Sequence, residues 1–230
     1  MKKQTPILIT GIPRSGTSMI AATINLCGAF SGEMSKRGRY SNDRIRESLV
    51  IPLLGAAGLD EDGYYPLPQE LPQPVAWRRK ITKILKEEGF EGGSWMYKDS
   101  RICLLWPVWA NAYPKAKWII VRRKTSDILD SCMKTGYMTR FKHLGIQEAV
   151  NVTNEKDGWL WMIHEYEKRF LEMATAGLDH KIIWPERMVQ GDYQQLYELC
   201  DWLELPWKEE SLCYINSLLW GTKQKERMVI

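Results

Sequence analysis

Ile7-Leu8-Ile9-Thr10-Gly11-Ile12-Pro13-Arg14-Ser15-Gly16-Thr17-Ser18 is the stretch that decides the fold. Its first four residues form a short β-type run, residues 11–16 a glycine-bounded turn, and Thr17 opens a helical pattern that runs to Cys27 and is closed by Gly28. A strand, a tight turn and a helix N-terminus aim several backbone N–H groups at one point. The helix dipole adds to that field, so the turn suits a phosphate or sulfate group. The spacing is that of a Walker A loop, G-x-x-x-x-G-K-[ST], with Thr17 where the lysine belongs. An ATPase or kinase needs that lysine on the β/γ-phosphates. Here the cation stands inside the loop, as Arg14.

Outward from this stretch, β-type runs recur at 95–97, 118–121 and 181–184. Helical patterns lie between them. One spans 42–57, with Ser41 as its N-cap and a kink at Pro52; others span 75–88, 102–113, 126–138, 153–176 and 193–204. The clearest places Trp159, Met162, Ile163, Tyr166, Phe170, Met173 and Ala174 on one face at helical spacing. Pro66, Pro68, Pro72 and Pro74 mark a surface crossing without regular structure. Strands alternating with helices predict an α/β fold, a central, mainly parallel sheet with helices on both faces. Residues 1–230 read as one domain, with any site at the carboxyl ends of the strands. Most of the eleven tryptophans are expected in the core.

With 44% hydrophobic and 26% charged residues, the chain is neither disordered nor collagen-like. No apolar stretch approaches the ~20 residues of a membrane helix; even Ile119-Ile120-Val121 is fenced by Lys117 and Arg122. Met1-Lys2-Lys3-Gln4-Thr5-Pro6 runs straight into a strand without a signal-peptide core, so a cytoplasmic location is expected. The net charge of +4 permits an anionic ligand without calling for nucleic acid. Cys27, Cys103, Cys132, Cys200 and Cys213 are odd in number and form no C-x-x-C pair, which predicts reduced thiols. His143, His164 and His180 form no ligand array, and no metal is expected.

Pro13-Arg14-Ser15-Gly16-Thr17-Ser18 resembles the 5′-phosphosulfate loop of sulfotransferases that use 3′-phosphoadenosine 5′-phosphosulfate (PAPS), in the Golgi-type and bacterial branch. A second match is 118–131. In the family a strand ends in an arginine, a serine follows eight positions later on the next helix, and both bind the 3′-phosphate. Arg123 and Ser131 have that spacing, with Asp127 on the frequent acidic position between them. Tyr97-Lys98-Asp99-Ser100-Arg101 resembles the family's K-D-P-R-like segment, with Ser100 replacing proline, and Trp202-Leu203-Glu204-Leu205-Pro206 its closing [FW]-L-x-L-P. Pro185-Glu186-Arg187-Met188 is a degraded form of the element before it, and Gly221-Thr222-Lys223 only a weak echo of the cytosolic R-K-G loop.

The resemblance implies a P-loop-like sulfotransferase fold and sulfonate transfer from PAPS to a hydroxyl, releasing PAP. Arg14, Ser15, Gly16, Thr17, Ser18, Arg123 and Ser131 then hold the donor. Arg14 also clamps the transferring sulfonate or the 5′-phosphate, and Lys98, at a strand end beside the loop, neutralises the leaving oxygen. For the base, residues 41–48 resemble the stretch in which carboxylate-using relatives place a glutamate, which makes Glu47 the leading candidate. Asp43, Glu33 and Asp99 are its rivals, and His143 reads as a surface residue. Residues 28–75 and 136–158 are expected to shape the acceptor pocket, with Tyr64, Tyr65, Tyr137 and Trp159 as walls. The acceptor itself is open among small molecules, glycans and peptides. Two alternatives stand beside this reading: a P-loop kinase, which leaves Lys98, Arg123 and Ser131 unexplained, and a PAPS binder without a working base.

Overall fold

The computed structural model describes residues 5–33, 35, 40–68, 70–136 and 138–215. The chain runs β1 (Thr5–Gly11), α1 (Thr17–Leu26), α2 (Asp43–Ile45), α3 (Ile51–Ala56), α4 (Trp77–Glu87), β2 (Ser94–Lys98), α5 (Trp106–Ala112), β3 (Lys117–Val121), α6 (Thr125–Lys134), α7 (Leu144–Ala149), α8 (Glu155–Thr175), β4 (His180–Ile183), α9 (Pro185–Val189) and α10 (Gln194–Leu203). The four strands form one parallel sheet in the order β2-β1-β3-β4.

Both faces of the sheet are covered at β1, β2 and β3, so these strands are apolar on both sides, while the edge strand β4 leaves Ile182 exposed. Ile7 and Ile9 of β1, Met96 of β2 and Ile119 and Val121 of β3 pack with Ile20 and Ile24 of α1 and Leu196, Leu199 and Leu203 of α10. Their strand neighbours Leu8, Trp95, Tyr97, Trp118 and Ile120 face the opposite layer, with α4, α5 and α8. Trp95, Trp109, Trp118 and Trp159 are fully buried, as expected of tryptophan in this composition. Parity places Lys98 on the same side of β2 as Met96, towards the layer that contains α1.

Four local expectations are corrected. Asn42, not Ser41, caps the second helical segment, its Oδ1 accepting from the Ile45 N–H at 2.8 Å. That segment is not one kinked helix: Arg46–Val50 forms a wider π-type turn, closed by the Ile51 N–H on the Arg46 carbonyl. The turn lies just before Pro52, which lacks an N–H and whose ring crowds the carbonyl four residues back. Residues 102–113 are likewise broken. Asp99 caps a short 3₁₀ turn, Ser100–Cys103, and α5 restarts with Pro107 in its first turn. Ala174 is exposed, although the rest of its expected face on α8 is buried.

Candidate functional site

β1 is central, so its carboxyl end has β2 on one side and β3 on the other. The register sets Ile9 beside Lys98 and Gly11 beside Val121. Gly11 cannot carry a side chain: a Cβ there would lie 2.5 Å from the Val121 carbonyl oxygen and 2.7 Å from Ser15 Oγ. The chain then turns through two left-handed residues, Arg14 at φ 76° and Gly16 at φ 99°. For arginine that region is strained, and such strain collects where a loop must present its backbone to a ligand. α1 starts directly after Gly16. No side chain among the described residues caps it and its first turn carries no acid, so its leading N–H groups form a positive end that no carboxylate of that turn offsets. Ser15 Oγ is buried without a hydrogen-bond partner among the described residues. A bound oxyanion would satisfy both.

Three residues singled out in the sequence converge on this loop. Arg14 Nε donates to Ser131 Oγ at 2.8 Å, across 117 residues of chain. Arg123 Nη1 donates to the Arg14 carbonyl at 3.1 Å, and its Nε lies 3.9 Å from Asp127. The direct bond from Arg14 to Ser131 carries no sequence signal, since the spacing rule linked Ser131 only to Arg123. Burial lowers the Arg123 pKa; Asp127 and Glu186 oppose that shift and Arg14 adds to it. A guanidinium held below its ordinary value gains from an incoming anion. Arg122 turns away: it pairs with Glu167 through Nε–Oε1 at 3.2 Å and lies over the Trp184 ring at 5.2 Å.

Lys98 ends β2 and is buried, and the next N–H, of Asp99, donates to the Ile9 carbonyl at 3.1 Å. Asp99 is also buried, but it is engaged. Its Oδ1 accepts from the Arg101 N–H at 3.0 Å and from Arg101 Nε at 2.8 Å, while its Oδ2 accepts from Arg101 Nη2 at 2.9 Å and from Tyr97 Oη at 3.2 Å. Burial alone would raise its pKa, but the Arg101 guanidinium and its hydrogen bonds outweigh that and hold it below the ordinary carboxylate value. A carboxylate held this way is a poor proton acceptor, which removes Asp99 from the rivals for the base. Arg101 Nη1 also reaches the Glu61 carbonyl at 2.7 Å, fastening the Lys98 turn to residues 60–64. Sequence reasoning gave Arg101 no role; the Asp-x-Arg spacing at the start of the turn was the available signal.

The other candidate carboxylates lie nearer the surface, with neighbours of their own. Glu47 is 64% exposed and pairs with Arg46 at 2.9 Å; Asp43 pairs with the same arginine at 3.0 Å. Glu33 is exposed, and its N–H donates to Glu88. His143 is exposed just before α7. Of the expected pocket walls, Trp159 and Tyr64 belong to the core, where they pack edge to face and both contact Phe141. Tyr65 is half-buried against the same core. Tyr137 and residues 221–223 lie outside the described residues. Among the described residues no group of three or more His, Cys, Asp or Glu could hold a metal ion, and no helix is long and apolar enough to cross a membrane.

Neither protein-family models nor curated proteins match the sequence. Solved structures do match the fold. The sulfotransferase domain of the Synechococcus PCC 7002 olefin synthase is 14% identical with a TM-score of 0.53, the match covering 92% of this chain and 76% of that one. The sulfotransferase domain from the curacin biosynthetic pathway is 14% identical with a TM-score of 0.53, over 92% of this chain and 77% of that one. Sulfotransferase STF9 from Mycobacterium avium is 15% identical with a TM-score of 0.56, over 94% and 68%. The parallel sheet and its flanking helices therefore give this chain the fold of the sulfotransferases.

Proposed function

We propose that the chain is a PAPS-dependent sulfotransferase that moves a sulfonate group to a hydroxyl of a small molecule, glycan or peptide. The observation that carries this reading is the meeting of Arg14, Arg123 and Ser131 at one loop, where Arg14 bonds Ser131 at 2.8 Å and Arg123 bonds the Arg14 carbonyl at 3.1 Å. Residues 14–18 take the 5′-phosphosulfate at the start of α1. Arg123 and Ser131 take the 3′-phosphate, a charge-assisted site that separates PAPS from ATP and from adenosine 5′-phosphosulfate.

Transfer forms a bond from the acceptor oxygen to sulfur as the bond from sulfur to the bridging oxygen of the nucleotide breaks. The electron pair leaves with PAP, the acceptor proton goes to a base, and no metal is needed for the balance. Lys98 meets the charge that develops on the bridging oxygen, and Arg14 orients the sulfonate. Glu47 is the proposed base. Its exposure and its pairing with Arg46 also favour a second reading, a PAPS binder that lacks a working base.

Labelled PAPS with a panel of hydroxyl acceptors tests the proposal. PAP should form only when an acceptor is present, and Lys98→Ala should lower turnover by roughly 10²–10³ with PAPS affinity little changed. Near-normal turnover in that variant removes Lys98 from the mechanism. PAP binding without turnover on any acceptor favours the second reading.

A further inference from the structure

α4 carries the positive excess of the molecule on its outer side. Arg78, Arg79, Lys80, Lys83 and Lys86 face one carboxylate on that helix, Glu87, so α4 alone accounts for the net charge of +4. All five cations are exposed, while Trp77, Ile81, Ile84 and Leu85 are buried beneath them. Arg79, Lys83 and Lys86 stand at i, i+4 and i+7, one line about 10 Å long. Glu87 is shared by Lys83, at 3.8 Å, and Arg44, which brings a sixth cation to the same face. Arg79, Lys80 and Lys86 make no ion pair among the described residues. Arg78, Arg79, Lys83 and Lys86 line a shallow groove of about 670 Å³. Two residues before α4, Val75 is 81% exposed, the most exposed large hydrophobic side chain among the described residues.

None of these residues belongs to the donor site. We propose that this face docks on an anionic lipid surface, with α4 along the membrane plane and Val75 entering the interface. Long basic stems let all five charges reach one plane while the apolar face stays in the core. Each cation near such a surface strengthens binding, and an adjoining exposed hydrophobe adds apolar contact. A nucleic-acid strand fits less well. Strand binders stack bases on exposed aromatic rings, and the aromatics under this face, Trp77 and Tyr113, are buried.

Co-sedimentation with phosphatidylcholine vesicles, with and without phosphatidylserine, tests the proposal. The wild-type chain should sediment only with phosphatidylserine, and salt should release it. The triple variant Arg79→Glu, Lys83→Glu, Lys86→Glu should lose on the order of a hundredfold in partition. The charge-matched Lys156→Glu, Lys168→Glu, Lys208→Glu, all exposed elsewhere, should keep most of it. Val75→Ser should fall between the two. Unchanged thermal melting would show that both triple variants fold. Equal losses in the two triples would reduce the effect to bulk charge and overturn the proposal. So would a wild-type chain that ignores phosphatidylserine vesicles yet binds heparin or single-stranded RNA.

Discussion

Replacing Arg101 by methionine isolates the strut beneath Lys98. The variant keeps most of the side-chain volume and removes three hydrogen bonds to the buried Asp99 carboxylate or the Glu61 carbonyl, at 2.7–2.9 Å. Asp99 is then a buried charge without its partner, and breaking a pair this way costs about 3–5 kcal/mol. For a chain of this size that corresponds to a melting temperature lower by about 6–20 °C. Urea denaturation followed by tryptophan fluorescence measures the loss directly. The pH dependence follows from Asp99. In the wild type its folded pKa lies below the unfolded value of 3.8, so its contribution is present above that pH and disappears as pH falls through the folded value. In Arg101→Met, burial dominates and the folded pKa rises, so ionisation of Asp99 opposes folding at neutral pH and protonation relieves it. The gap between variant and wild type should therefore be widest near pH 7 and narrow as pH falls towards and below 3.8. Adding Asp99→Leu should recover most of the loss. A cost below about 1 kcal/mol, or a gap that does not change with pH, would refute the strut.

Gly11→Ala places a Cβ against the Val121 carbonyl and Ser15, so it should cost about 1–3 kcal/mol in urea denaturation and weaken PAP binding; wild-type affinity for PAP would show that the loop has room to move. Glu47→Gln should bind PAPS normally and turn over roughly 10²–10⁴ more slowly, most visibly with a high-pKa alcohol; the same defect in Asp43→Asn but not in Glu47→Gln moves the base to Asp43.

β1, β2 and β3 were legible because each is a short apolar run with aromatic or β-branched residues, buried on both faces; the edge strand β4, with Ile182 exposed, was legible from its β-branched Ile182-Ile183 pair alone. The turn at 11–16 was legible because glycine spacing encodes backbone geometry, and Gly11 and Gly16 each meet a steric or dihedral demand. Arg123 and Ser131 were paired in the sequence by their spacing, and in the structure both reach Arg14. What escaped were features set by partners distant in the chain. The Arg14–Ser131 bond joins residues 117 apart, and Arg101 bridges Asp99 to a carbonyl 40 residues away. The π-type turn at 46–50 escaped for a local reason: a proline inside a helical pattern announces a disturbance, not its shape. Tyr64 and Trp159 looked like pocket walls because an aromatic in a motif-poor segment reads equally as ligand contact or core.

The most direct test of the account is calorimetric titration of the chain with PAP and with AMP in the presence of a chelator. The two nucleotides differ only in the 3′-phosphate assigned to Arg123 and Ser131. Charge-assisted hydrogen bonds contribute about 1.5–3 kcal/mol each, so PAP should bind at least tenfold more tightly than AMP without magnesium. Arg123→Ala should remove most of that preference; because Arg123 also holds the Arg14 carbonyl, AMP binding should fall slightly as well. Equal affinities for PAP and AMP in the wild-type chain, or tight binding of ATP that requires magnesium, would contradict the account.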